Sequence, residues 1–179
     1  MKIHLLRHEQ RDIKNPLFFS ELTKTGIGNS IILADLISKL SVNNIYTSPF
    51  LRVLQTVHPY LLTCNKVINI EYGLYELLED PLFNETNWKH TYNDLPNKYL
   101  KYINQDYKSI IDLNSIKLNE SFEELCIRVK PFIEYLISQN EDVFIVSHMS
   151  TCNSILHYFN SDINKLSNFD MGEFKTIEI

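Results

Sequence analysis

Residues 2–6 (KIHLL) are a short apolar run that empties into Arg7 and His8, the pattern of a strand running into a loop. Residues 9–21 are polar with one proline and read as loop. LTKTGIGNS at 22–30 opens a helix: Thr23 or Thr25 can serve as N-cap, and Ile27, Ile31, Ala34, Ile37 and Leu40 recur at helical spacing. Ile45 and Tyr46 within NNIYTS (43–48) mark a short buried strand. Pro49 then starts a helix to about Leu62, with Val53, Leu54, Val57 and Leu61 as its apolar face and Pro59 predicting a kink or early end. KVINIEY (66–72) reads as another strand. Residues 73–119 carry many aromatics and no clean period, which predicts short helices and loops forming a lid.

From Glu120 the period sharpens. Phe122, Leu125, Cys126, Val129, Phe132, Ile133, Leu136 and Ile137 fall at helical steps behind Ser121, a natural cap. DVFIVSH (142–148) is continuously apolar until its last residues, as in a parallel strand buried on both faces. STCNSILHYF then reads as a helix and FKTIEI as a last strand. Strands alternating with helices predict an α/β fold, a three-layer αβα sandwich with a mostly parallel central sheet. Residues 1–179 form one domain in this reading, with a small, trimmed cap insertion at about 77–119.

Composition narrows the classes. The net charge is −5, and the 17 lysines and arginines are scattered, so no basic face for nucleic acid is expected. A single anion pocket stays compatible with that balance, because local potential and net charge are separate quantities. Cys64, Cys126 and Cys152 are odd in number and sit in apolar surroundings, which predicts buried thiols in a reducing compartment and no zinc site. The first apolar run is broken by His4 and ended by Arg7, unlike a signal peptide or a membrane span. A soluble, cytoplasmic protein without a membrane partner is the expectation.

In a parallel sheet, ligands bind beyond the carboxyl ends of the strands. Arg7 and His8 stand at the end of the first strand, Ser48 at the end of the second with Arg52 on the next helical turn, Glu76 just past the third, and His148 at the end of 142–147. Two imidazoles, two guanidiniums and a carboxylate therefore converge at one edge of the sheet. The motifs carrying them resemble those of the histidine phosphatase superfamily (phosphoglycerate-mutase-like). LLRHEQRD (5–12) looks like its Arg-His-Gly motif, LTKTG (22–26) like its helix entry, and YTSPFLRVLQT (46–56) like its S-P-x-x-R-x-x-Q-T motif. GLYE (73–76) is similar to its proton-donor segment, and ESFEELCIRV (120–129) precedes VSHMS (146–150), which matches its second-histidine motif. The combination of RHxxRD and GLYE looks closest to the Sts-type branch.

The resemblance implies a phosphomonoester hydrolase of small molecules or proteins. His8 would be the nucleophile, Glu76 the proton donor, and Arg7, Arg52 and His148 the phosphate-binding groups. Arg11 would be a further substrate contact. It implies no cofactor and no metal, and a homodimer of the kind common among such relatives. Two glycines of the pattern are replaced, by Glu9 and Met149. Glu9 pointing inward would repel phosphate and raise the pKa of His8; pointing outward or pairing with Arg11, it would leave the site intact. Two other readings stay open: a module that binds a phosphorylated ligand without turnover, and a phosphoglycerate-type mutase with Lys89, His90, Lys98, Lys101 and Lys108 as its only further basic candidates in the cap. A zinc site from His8-Glu9 would need a histidine at position 12, which is Asp12. Within the cap, Tyr75, Phe83 and Trp88 are candidates for a leaving-group wall.

Overall fold

A computed structural model describes residues 1–179. The elements are β1 (Lys2–Arg7), α1 (Lys24–Ser38), β2 (Asn44–Thr47), α2 (Leu51–Leu61), β3 (Asn69–Ile70), α3 (Asn97–Leu100), α4 (Phe122–Gln139), β4 (Val143–Ser147), α5 (Met149–Phe159) and β5 (Phe174–Glu178). The sheet order is β3-β2-β4-β1-β5; every pairing is parallel except β1 with β5, the antiparallel edge. β4, buried at all five positions, lies between β1 and β2, as its continuous apolar run requires. Its side chains alternate between two cores. Phe144 and Val146 join Leu6 and Ile45 beneath α1, α2 and the cap, while Val143 and Ile145 join Ile3 and Leu5 beneath α4 and α5. No helix is long and apolar enough to cross a membrane.

Register places the site. Arg7 pairs with Ser147 and Thr47 with Val146, so the three central strands end level. The residues that follow each strand, His8, Ser48 and His148, are thus delivered side by side from widely separated parts of the chain. The backbone ladder continues one step into them: His8 N–H donates to Ser147 O at 2.9 Å and Ser48 N–H to Val146 O at 3.2 Å.

Several local expectations hold and others need correction. Thr23 caps α1 by accepting from Gly26 N–H, and Ser121 caps α4 in a reciprocal box with Glu124. Pro49 precedes α2 rather than opening it; Phe50 is the N-cap, and Pro59 sits inside the last turn without ending the helix early. The strand expected over 66–72 is only two residues long, because Glu71 turns inward to cap a tight 3-10 turn over Tyr72–Leu74. The expected face of α1 is rotated. Ala34 and Ile37 are buried, but Ile27 and Ile31 are 47% and 61% exposed, while Gly26 and Ser30 face inward. The reason is steric: a Cβ on Gly26 would lie 2.3 Å from Gln10 O, so the loop after His8 packs flat against the helix where only glycine fits.

Two glycines in α1 should therefore respond in opposite ways. A Cβ on Gly28 would meet nothing within 4 Å, so Gly28→Ala is expected to stabilise the fold by about 1 kcal/mol through helix propensity. Gly26→Ala drives a methyl into a backbone carbonyl and is expected to destabilise by roughly 1–3 kcal/mol. Thermal melts of both variants check this; a Gly26→Ala melt at or above wild type would contradict the packing described.

Candidate active site

His8 is 1% exposed and reads as a neutral imidazole with a defined tautomer. Its Nδ1 lies 2.8 Å from Glu9 O, an acceptor only, so Nδ1 carries the proton and Nε2 keeps its lone pair. Burial, then Arg52 and His148 beside it, push its pKa well below the ordinary imidazole range. Arg52 Nε donates toward that Nε2 at 3.3 Å.

Arg52 has no exposed surface and organises the site. Its Nη1 donates to Leu17 O at 2.9 Å, which ties the loop after β1 to α2. Its Nη2 donates to Glu76 Oε2 at 3.2 Å and stands 3.3 Å from His148 Nδ1. Glu76 Oε2 also lies 3.1 Å from His148 Nδ1, and Ser48 Oγ 2.8 Å from His148 Nε2. A neutral His148 satisfies both neighbours in one tautomer: Nδ1–H donates to the carboxylate and Nε2 accepts from the serine hydroxyl. Burial lowers His148 to about 4, against the opposing pull of Glu76. Burial by itself would raise Glu76, but His148 and Arg52 outweigh it and hold the carboxyl well below its usual range. Arg52 itself is lowered to about 10, by burial and by the neighbouring guanidiniums of Arg11 and Arg7 against the pull of Glu76.

Beside this cluster opens a small cavity of about 160 Å³, lined in part by Arg7, Arg11, Glu76, Phe83, Met149 and Ser150. Arg7 Nη1 donates to Phe169 O at 2.6 Å and Arg11 Nη1 to Asp12 O at 2.7 Å. The Nε–H groups of both arginines are buried without a protein acceptor. Three guanidiniums thus crowd one carboxylate, leaving donors and positive charge over for an anion.

All six expected site residues, Arg7, His8, Arg11, Arg52, Glu76 and His148, meet at this place. Glu9 does not enter it: its carboxylate accepts from Asn29 Nδ2 at 3.2 Å and packs on Gly172, where a Cβ would approach to 2.1 Å. Met149 takes the first position of α5, directly after His148, the N-cap, so that helix starts one residue before the expected Ser150. Of the three aromatic candidates only Phe83 lines the cavity. Tyr75 and Trp88 are core residues, joined by the Tyr75 hydroxyl donating to Trp88 O at 2.6 Å. Sequence reasoning missed the role of Ser48, although it stood in a quoted motif, and it missed the loop at 168–173. There Gly172 N–H donates to Arg7 O and His8 O, each at 3.2 Å. The one signal was Gly172, whose φ of +74° marks a left-handed turn.

The sign of the pH response follows. An unfolded imidazole protonates near 6.5, whereas folded His148 resists until about 4, so stability falls as pH drops through that window, by roughly 3 kcal/mol for this group at most. Histidine-resolved NMR titration is expected to show His8 and His148 without a titration step between pH 7.5 and 5.5. A midpoint near 6.5 at either would contradict the buried, neutral assignment.

Comparison with known proteins places the fold and the family. Residues 5–178 match the model of the histidine phosphatase superfamily (branch 1). A protein of Hydrogenobacter thermophilus named "Putative phosphoserine phosphatase 2" is 27% identical over 164 residues, covering 87% of this chain and 76% of that one. The mycobacterial glucosyl-3-phosphoglycerate phosphatase superposes with a TM-score of 0.67 at 16% identity, over 98% of this chain and 88% of its own. The alpha-ribazole phosphatase of Shigella flexneri does so at 0.68 and 20%, over 100% and 91%. With the match running over nearly its whole length, the chain belongs to the histidine phosphatase superfamily.

Proposed function

We propose that the protein hydrolyses phosphomonoesters through a phosphohistidine on His8. The observation that carries this reading is the unprotonated Nε2 of His8, buried beside Arg52 and next to a cavity where Arg7 and Arg11 hold unused donors. The phosphatase names of the relatives support it.

The phosphoryl group sits among Arg7, Arg11, Arg52 and His148, whose donors match the charge spread over its oxygens during transfer. In the resting site Glu76 is an ionised partner of Arg52 and His148. An entering phosphate competes for those same donors, which raises the proton affinity of Glu76, and a substrate bound as monoanion supplies the proton. His8 Nε2 then forms the N–P bond while the ester P–O bond breaks, and Glu76 protonates the departing oxygen. A water next gives its proton to Glu76 as its oxygen attacks phosphorus, the N–P bond breaks, and neutral His8 is restored. His8, Glu76 and His148 could by distance alone hold a cation, their ligand atoms lying within 4.8 Å of one another. Arg52 contacts all three and already supplies positive charge there, so metal-independent chemistry is the reading the donor set supports.

The cavity is smaller than the ~300–1,000 Å³ of a typical ligand pocket, which favours compact substrates. Arg11 on its wall is in keeping with the Sts-type likeness. The cap lysines that a mutase would need do not line it; Lys98 and Lys101 lie over the rings of Tyr99 and Tyr102. The non-catalytic binding module drew its support from the two replaced glycines; Glu9 points away from the cavity, while Met149 lines it as an uncharged side chain.

Turnover of p-nitrophenyl phosphate and of small alkyl phosphates in excess EDTA is expected, and a drop of roughly 10³-fold or more in His8→Ala. Rapid alkaline denaturation with labelled substrate is expected to leave alkali-stable, acid-labile phosphate on wild type only. Phosphate affinity without turnover would favour the binding module, and label retained in His8→Ala would remove His8 as nucleophile.

A further inference from the structure

A second arginine is almost as deeply buried as Arg52 and lies outside the phosphate site. Arg128, from the middle of α4, is paired with Glu120, and both side chains are 4% exposed. Its Nε donates to Glu120 at 2.9 Å and its Nη2 at 2.8 Å, a two-pronged pair that neutralises the guanidinium. The remaining hydrogens point at backbone. Nη1 donates to Gly73 O at 2.8 Å, and Nη2 to Tyr75 O at 3.3 Å, with longer Nη1 contacts to Tyr72 O and Tyr75 O at 3.4 Å. These carbonyls belong to the segment that ends in Glu76.

The same segment is held from other directions. Ser147 Oγ, at the end of β4, donates to Leu74 O at 2.8 Å, and Thr151 Oγ1, on the first turn of α5, donates to Tyr75 O at 2.9 Å. Glu71, fully buried, accepts from Gly73 N–H at 2.8 Å and from the Tyr107 and Ser109 hydroxyls and the amides of Ile110 and Ile111. The carbonyls of Gly73, Leu74 and Tyr75 therefore each meet a side chain from the structure behind the site. A lysine could not replace Arg128, since one ammonium cannot reach a carboxylate and separated carbonyls with a planar fork.

We propose that Arg128, oriented by Glu120 and assisted by Thr151, is a positioning residue for Glu76: it fixes the loop so that the carboxyl stands where the leaving oxygen departs. This rests on the proton-donor reading of Glu76. Its consequence is selective. Protonation matters greatly when the leaving group is a poor one, such as an alkoxide, and little when it is p-nitrophenolate, which departs unaided. A mispositioned Glu76 should slow alkyl phosphates far more than aryl phosphates. A merely structural role would slow both alike.

The test measures kcat/KM, which ends at the first P–O cleavage, for p-nitrophenyl phosphate and glycerol phosphate in Glu76→Gln, Arg128→Lys, Arg128→Met and Thr151→Val. The expected result for the Arg128 variants is a loss at least tenfold larger on glycerol phosphate than on the aryl ester, with Thr151→Val smaller in the same direction. Arg128→Lys added to Glu76→Gln should cause little further selective loss. If the Arg128 variants do not fold, Thr151→Val carries the comparison alone. Equal losses on both substrates in the folded Arg128 variants, or in Thr151→Val where those do not fold, while Glu76→Gln is selective, overturn the positioning role. Equal losses in Glu76→Gln itself would instead overturn the proton-donor reading on which it rests.

Discussion

A guanidinium with no exposed surface is expensive to bury, and the placement of Arg52 sets most of what surrounds it. Its hydrogens need partners, and they reach a loop carbonyl at Leu17, the imidazole of His8 and the carboxylate of Glu76, which His148 shares. The loop after β1, the Glu76 segment and, through Glu76, the end of β4 are thereby tied to one side chain. The positive charge is only partly compensated, because Arg7 and Arg11 stand close enough to repel Arg52 and line the same cavity as the single carboxylate of Glu76. A site built this way keeps positive charge that its own carboxylate does not cancel, and the phosphoryl group of the proposed reaction would supply the missing negative charge.

Arg128 is the counterpart. It is as fully engaged, but Glu120 matches its charge one to one and its other donors end on backbone carbonyls. Nothing is left over for a ligand. Two buried arginines in one small fold are thus partnered differently: a carboxylate of its own and several carbonyls for one, an imidazole, one carbonyl and a shared carboxylate for the other. Burial alone would not have separated them.

Most of the scaffold was legible because its signals were local. The apolar run of β4, the cap at Ser121 and the strand-end positions of His8, Ser48 and His148 follow from short stretches of chain. What was not legible depended on contacts between distant segments. The inward face of α1 is chosen by the backbone of Gln10, not by the isoleucines that carry its helical period. β3 is cut short by Glu71, whose partners lie around residues 107–111. Tyr75, Phe83 and Trp88 all belong to the core, and only Phe83 also reaches the cavity, a distinction that aromatic composition cannot make.

The substitution of Glu9 for a glycine shows how a local departure is absorbed at a distance. A carboxylate beside His8 would oppose an anion if it turned inward, yet here it turns toward α1 and the loop that leads into β5. Room for it comes from Gly172, whose missing side chain leaves the space the carboxylate occupies and whose positive φ lets the loop fold close. That loop also donates its Gly172 amide to the carbonyls of Arg7 and His8, while Phe169 O receives Arg7 Nη1. The same glycine that admits Glu9 therefore helps to hold the segment that carries His8 in place. The lost glycine after His8 and the retained one at 172 are two parts of one steric arrangement, and the cavity remains lined by Arg7 and Arg11, with the Glu9 carboxylate outside it.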